Sequence, residues 1–293
     1  MRGGGESGHD RHRSDDAQPF APHRSHADRD ARDSDAQLDQ PRQGLHGRAT
    51  LAPPGVSGLV GLPTTMDVTI VGGTGAEGYG LALRLAGAGH RVTIGSRSAD
   101  RAAEAVARLE ETLGPDVQAL GAENAEAVAG AAVVVVTVPF SAMIGTYDSI
   151  APSLATGQVV LDATSPLMAA VGGKAWQALR PWQGSAAELA ASAVPDGVAV
   201  VAGLHTVAAH ALAALDADVA SDALLCSDDD DAKRLVGELI ASVPGMRWVD
   251  AGPLANARLT EPLTALIIAI NRRYKVREGG FRITGRESWG AGT

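Results

Sequence analysis

The sequence predicts an α/β fold: a doubly wound parallel sheet with a smaller C-terminal α/β part. Three observations predict it. From Met66 onward, short apolar runs alternate with segments of helical period, and that rhythm requires parallel pairing through right-handed crossovers. The run "AAVVVVTVPF" (131–140) is β-branched and apolar on both faces, as in a strand covered by helices on each side. A glycine cluster, "GGTGAEG" (72–78), stands between the first strand and the first helix.

The elements follow in order. Asp67–Val71 reads as a strand and Gly78–Ala88 as a helix, then Arg91–Gly95 as a strand and the alanine-rich Ala99–Leu113 as a helix. Val117–Leu120 predicts a brief strand and Ala122–Ala129 a short helix. After the buried strand, Ser141–Leu154 is helical and "QVVLDAT" (158–164) is a further strand. The chain continues with helix Ala186–Ala193, strand Val198–Ala202, strand Ala223–Cys226, helix Asp229–Ala241 and strand Arg247–Asp250. A long apolar helix over Leu254–Asn271 contains Pro262, which predicts a kink or a break there.

Length and composition bound the function. The chain has 293 residues, is 45% hydrophobic and carries a formal net charge of -9. That supports one large domain or two small ones, and the acidic balance argues against a nucleic-acid partner. Cys226 is the only cysteine, which excludes an internal disulfide or a thiolate metal cage and fits a reducing cytoplasm. No apolar run approaches the roughly 20 residues that span a bilayer, and the N-terminus lacks the apolar core of a secretory signal.

The composition changes abruptly near Met66. Residues 1–65 are rich in Asp, Arg, His, Gly, Ser and Pro, too poor in aliphatic residues to offset their ordering entropy, and read as a disordered charged extension. Their five histidines (His9, His12, His23, His26, His46) are irregularly spaced and read as solvated, not metal-binding. Because Met66 opens directly onto the first strand, a start site there is expected. Residues 66–184 form the expected dinucleotide domain, and 185–293 the C-terminal part.

"GTGAEG", Gly73–Gly78, matches G-x-G-x-x-G in a strand–loop–helix setting. Gly73 is expected to permit the tight turn, Gly75 the approach of backbone to pyrophosphate, and Gly78 close packing of helix on strand. The helix N-terminus then offers free N–H groups and a positive dipole end to the phosphates. Sites that prefer NAD end the second strand in Asp or Glu; here Gly95-Ser96-Arg97 stands in that place. A hydroxyl and a guanidinium suit an adenosine 2'-phosphate instead, with Arg101 one turn later adding a second charge. NADP is therefore the expected cofactor.

Other motifs read as structural. "DDDDAKR" (228–234) fits an acidic first helical turn better than a metal site. His90 reads as a turn residue, Cys226 as a small core residue, and Arg258 with Glu261 as a surface pair. Leu263, Ile267 and Ile270 recur at helical spacing, suiting a core or a subunit interface. No nucleophile elbow, paired carboxylate site or metal spacing appears in the alternating region. Three strand ends converge on the carboxyl edge where ligands lie: Thr137–Phe140 with Thr137 and Pro139, Ala163–Met168, and His205-Thr206-Val207. They make an apolar slot with few charges.

"VGGTGAEGYGLALRLA", "GSRSADRA", "SAAELAA", "GLHTVAAHALAALD", "CSDDDDAKRLV" and "DAGPLANARLTEPLTALIIAIN", taken in that order, resemble the reduced coenzyme F420:NADP oxidoreductase family. The resemblance runs from Met66 to about residue 285. It implies a Rossmann-type NADP domain, a smaller C-terminal part, a homodimer, and reversible hydride transfer between a reduced deazaflavin and NADP. It implies NADP contacts at Thr74, Ser96, Arg97 and Arg101. It places the deazaflavin near Pro139, the Ser165-Pro166-Leu167 loop and His205-Thr206-Val207. His205 is expected to bind, not to transfer protons. Ala208 departs from the pattern, which implies a proline there. Two other functions compete. An NADP-dependent imine or ketone reductase would need a proton donor, for which His205 and Tyr79 are the candidates. A non-catalytic NADP-sensing module would need no second slot.

Overall fold

The structure, a computed structural model, describes residues 65–285. The charged extension and its histidines lie outside the described residues, as does the segment on which the expected start site turns. The main sheet has six parallel strands in the order β3-β2-β1-β4-β5-β6: β1 (Asp67–Val71), β2 (Arg91–Ser96), β3 (Ala119–Glu123), β4 (Val133–Val136), β5 (Val159–Asp162) and β6 (Ala199–Ala202). This is a Rossmann-type sheet, with the strand order reversing between β1 and β4. Every residue of β4 and β5 is buried, which is why "VVVV" and "VVLD" carry no polar alternation. The sixth strand comes from beyond residue 185, so the two expected parts share one sheet.

Two apolar layers cover the sheet. Val68 and Ile70 of β1 point into one, with Leu81 and Leu85 of α1 (Ala76–Gly87) and Leu109 of α2 (Ala99–Leu113). Val71 points into the other, with Met143, Tyr147 and Ile150 of α4 (Phe140–Ile150) and the alanines of α5 (Ala186–Ala193). The period-2 alternation of strand side chains makes this division.

Several boundaries differ from expectation. Helix α1 starts two residues early, at Ala76, because Gly75 takes the N-cap conformation. Strand β3 lies later than expected, over Ala119–Glu123, because Gly121 packs against the Ala102 backbone of α2, where a Cβ would come within 2.7 Å of a carbonyl carbon. Only a four-residue helix α3 (Asn124–Ala127) is then left. The short α6 (Ala209–Ala213) was not foreseen. The long helix breaks at Pro262, giving a turn at Leu254–Asn256, then α8 (Ala257–Thr260) and α9 (Leu263–Tyr274). The expected Arg258–Glu261 surface pair does not form. Arg258 grips Glu188 with Nη2 at 2.6 Å, while Glu261 is buried and accepts from the N–H groups of Ala186 and Ala187 at the start of α5. A helix N-terminus needing acceptors outcompeted a surface contact.

Helix α7 (Asp230–Ala241) begins as its acidic turn implies, with Asp229 accepting from Ala232 N. His90 is structural: Nδ1 accepts from Met66 N, and Nε2 lies 2.9 Å from Ser242 Oγ. Cys226 is buried, and that burial raises its thiol pKa to about 11. Its backbone bridges Ala202 antiparallel, linking β6 to a small parallel pair, β7 (Asp222–Leu225) and β8 (Arg247–Asp250).

Asp222 closes this small pair. Its fully buried carboxylate accepts from Arg247 at 2.6 and 2.7 Å, Arg282 at 2.8 Å and the Ile283 N–H at 2.8 Å. Burial alone would raise its pKa, but Arg247, the Ile283 N–H and Arg282 outweigh it and hold the value down from 3.8 to about 2. A carboxyl lowered on folding contributes stability above its unfolded pKa and loses it as pH falls through the folded one. The contribution is therefore present above pH 4 and lost toward pH 2, and amounts to about 2 kcal/mol. Asp222→Asn is expected to lower stability by that order at pH 7 and to flatten the loss between pH 4 and 2 in denaturant melts. An unchanged acid limb in the variant would reject this role.

Candidate active site at the sheet switch point

The glycine loop leaves β1 and enters α1 at the point where the strand order reverses. Gly72, not Gly73, takes the left-handed conformation, with φ +76°. Gly73 is needed for closeness: its N–H donates to the Ile70 and Gly95 carbonyls, and a Cβ there would lie 2.8 Å from Ile70 O. Gly75 N donates back to Gly72 O at 2.9 Å, closing the turn. Among the described residues no acceptor faces the N–H groups of Ala76, Glu77 or Gly78. They remain available to a phosphate, with the helix dipole behind them.

A cleft of about 350 Å³ opens above this loop. Seven of the expected residues reach it: Thr74, Gly75, Ser96, Arg97, Arg101, Thr137 and Pro139. Gly73 and Gly78 do not line it; both are buried in the turn below. Ser96 is buried at the end of β2, and its Oγ accepts from Ser98 N at 3.4 Å. Arg97 and Arg101 are exposed, and neither has a salt-bridge or hydrogen-bond partner among the described residues. Two free guanidinia flank a hydroxyl where an acidic residue would favour an unphosphorylated ribose. Sequence reasoning did not single out Gly72, Asn124, Ala142 and Thr146, which also line the cleft, while Val138 does so from within the expected Thr137–Phe140 strand end. Asn124 was findable as a polar residue at a strand's carboxyl end, had β3 been placed correctly. Its buried Oδ1 has no partner among the described residues.

The remaining expected residues form a second cluster. Thr264 Oγ1 donates to His205 O at 2.8 Å, so the Ser165 hydroxyl, 2.8 Å away, must be the donor to Thr264. This one threonine ties the Ser165-Pro166-Leu167 loop to the turn after β6. The turn itself is strained: Leu204 has φ +67°, unusual for a residue with a bulky side chain. Thr206 faces inward, donating to Asp222 O at 2.6 Å while its own carbonyl accepts from Ser221. Its hydroxyl is thus committed to the fold, and Val207 is buried. Ala208 has φ -78°, its N–H finds no backbone acceptor among the described residues, and so the backbone keeps a proline-compatible shape without the ring. Arg84 of α1 clasps this region, donating to the carbonyls of Leu212, Ala211, Ala214 and Ala217. The helix of the glycine loop thereby holds the segment that follows the second cluster.

Electrostatics favour neutral groups between them. His205 is buried, and burial lowers its pKa to about 4 against the opposing effect of the Thr164 backbone. Asp162, at the end of β5, accepts from Tyr147 Oη at 2.6 Å and Thr164 N at 3.0 Å; burial raises it to about 6 despite these bonds. Burial and the charge of Asp162 raise Glu77, in the first turn of α1, to about 8. Glu261 rises to about 8 for the same first reason, opposed by its two N–H donors. Among the described residues, no group of His, Cys, Asp and Glu is arranged to hold a metal.

Comparison with known proteins agrees with this geometry. Residues 67–166 match the family model described as "NADP oxidoreductase coenzyme F420-dependent". The F420-dependent NADP reductase of Methanothermobacter marburgensis is 42% identical over 221 residues, covering 75% of this chain and 98% of its own. The chain belongs to the F420-dependent NADP reductase family. The counterpart from Methanocaldococcus jannaschii is 35% identical, covering 76% of this chain and all of its own length. The family model ends at residue 166, and the relatives match over about three quarters of the chain. A solved structure from Arthrobacter sp. FB24 superposes with TM-score 0.64 at 24% identity, covering 75% of this chain and 99% of that one, and supports the same fold. Among the described residues no helix is long and apolar enough to cross a membrane.

Proposed function

We propose that this chain transfers a hydride reversibly between reduced coenzyme F420 and NADP+. The observation that carries the reading is the pairing of two clusters at one sheet edge. One is a glycine-loop cleft with two unpaired guanidinia; the other is a nearly uncharged cluster around Ser165 and His205. NADP would lie against Gly73, Thr74, Gly75 and Gly78, with its 2'-phosphate between Ser96, Arg97 and Arg101 and its nicotinamide end toward Thr137 and Pro139. The deazaflavin would meet Pro139, Ser165, Pro166, Leu167 and the His205-Thr206-Val207 turn. When bound, the two cofactors supply the hydride donor and acceptor carbons, and the chain has no bond-making of its own to perform.

The residues then act by position. Thr264 holds the two deazaflavin loops at one separation, and Arg84 holds the segment 211–217, which follows the second of them, against α1. Fixing two ring systems in this way is worth several kcal/mol, about 7 to 11 at its upper range. His205, at a pKa of about 4, is neutral at physiological pH and serves as a hydrogen-bonding group, not a proton store. Residues 66–184 supply the NADP site in this reading, and 185–293 complete the deazaflavin site. Leu266, Ile270 and Tyr274, exposed along α9, suit a homodimer contact with a second copy.

An imine or ketone reductase would ask more of Tyr79 or His205. Tyr79 lies under the Arg108 guanidinium at 4.5 Å, in the groove between α1 and α2, and His205, with its pKa lowered to about 4, is not the imidazolium acid at neutral pH. The test is direct. Reduced F420 and NADP+ mixed with the protein should restore the deazaflavin absorbance band while NADPH forms in equal amount. NADPH consumption with imines or ketones and an unchanged deazaflavin band would reject the proposal.

A further inference from the structure

A short excursion leaves the deazaflavin loop and returns to it. Its base is closed by Leu179 N donating to Pro166 O and Met168 N to Gln177 O, both at 2.8 Å, with Leu167 bridging Ala178. Toward its tip stand Lys174 and Trp176. Trp176 collects two cations: Arg272 of α9 lies 4.1 Å from the ring centroid and Lys174 lies 5.3 Å from it. Neither cation has a carboxylate partner among the described residues. Two like charges gathered on one indole repel each other, and the ring's attraction orients both without neutralising either. A basic pair held this way is prepared for an anion.

Its place defines which anion. Helix α9 begins beside the Ser165–Thr264 contact, and Arg272 lies eight residues further on, about 12 Å along the helix axis. The excursion leaves the same loop at Pro166. The patch is thus one short chain's reach from the ring cluster, on the side of α9 turned away from its apolar Leu266–Ile270–Tyr274 face. Coenzyme F420 continues from its ring through a ribityl chain to a phosphodiester and an oligoglutamate tail, all anionic beyond the ribityl.

We infer that Lys174, Trp176 and Arg272 form the subsite for the anionic tail of the deazaflavin, which rests on the proposed function. The patch adds affinity and selects tailed over tail-less deazaflavins, and it leaves NADP untouched. The probes are reduced F420 and the reduced deazaflavin riboside that ends at the ribityl chain. In Lys174→Ala/Arg272→Ala at low salt, the KM for F420 should rise about tenfold, a scale set by two exposed charge contacts. The KM values for the riboside and for NADP should stay within twofold. The exposed single variant Lys174→Gln, which removes one charge without touching the core, should give about a threefold rise. Added salt should erase the wild-type preference for F420 over the riboside. An unchanged KM for F420 in both variants, with the riboside and F420 both turned over, overturns the tail subsite alone. If wild-type protein oxidises neither deazaflavin, the hydride-transfer reading falls and this inference with it.

Discussion

Gly78→Ala is expected to lower kcat/KM for NADP about 100-fold. In an ordinary helix this substitution is favourable, by up to about 1 kcal/mol. Here the added Cβ would lie 2.5 Å from Thr137 Oγ1, 2.8 Å from Gly73 Cα and 2.9 Å from Gly72 O. Two of those three atoms are backbone, so no rotamer change relieves the overlap. Helix α1 must retreat from the loop, and the free N–H groups of Ala76 and Glu77 move with it. A misplacement of about 1 Å at such a site costs about two orders of magnitude. The companion variant Gly78→Ala/Thr137→Ala separates causes. It removes the closest contact and should recover little activity, because the Gly72 and Gly73 backbone still clashes. Steady-state kinetics and NADP titration check both. A single variant with a KM for NADP within threefold of wild type would show that the floor of the cleft is not where the pyrophosphate rests.

The parts of this site that were legible in the sequence share one property: they are local. A strand, a glycine turn and a helix N-terminus are specified within about fifteen residues, so the loop Gly73–Gly78 could be read directly, and Gly75, Ser96, Arg97 and Arg101 line the cleft. The charged start of α7 was legible for the same reason. What escaped was decided by partners far along the chain. Glu261 was paired with Arg258 three residues away, yet the N-terminus of α5, 75 residues earlier, claims it. Arg84 carries no motif, yet it is buried and holds four carbonyls of the segment 211–217. Thr264 carries no motif, but it joins Ser165 to the His205 backbone. Thr206, expected near the ligand, also anchors the turn to β7, which no local pattern announced. Polar side chains choose partners by which buried donors lack acceptors, and that accounting exists only once the layers are packed. Strand β3 shows the same limit for backbone, since Gly121 takes its place through the closeness of α2.

Arg97→Ala is expected to weaken NADP binding about 10- to 150-fold while leaving NAD within twofold. The guanidinium has no protein partner among the described residues, so removing it breaks no contact inside the fold, and stability should not change. What is lost is a charge-assisted contact to the 2'-phosphate, worth about 1.5 to 3 kcal/mol. Exposure of Arg97 to water and salt places the effect toward the lower end at physiological ionic strength and higher at low salt. Arg101→Ala should act in the same direction but more weakly, since it stands one turn along α2 and lines the cleft from further back. Ser96 shares the load, yet its buried hydroxyl also receives Ser98 N, so Ser96→Ala mixes cofactor loss with loss of a loop contact. For that reason Arg97 gives the cleaner test. The decisive measurement is the ratio of kcat/KM for NADP to that for NAD, taken at two salt concentrations. A fall in that ratio that grows as salt is lowered identifies a phosphate contact. If both cofactors weaken equally, the arginine steadies the loop after β2 without reading the 2'-phosphate, and the choice of NADP over NAD must rest elsewhere in the cleft.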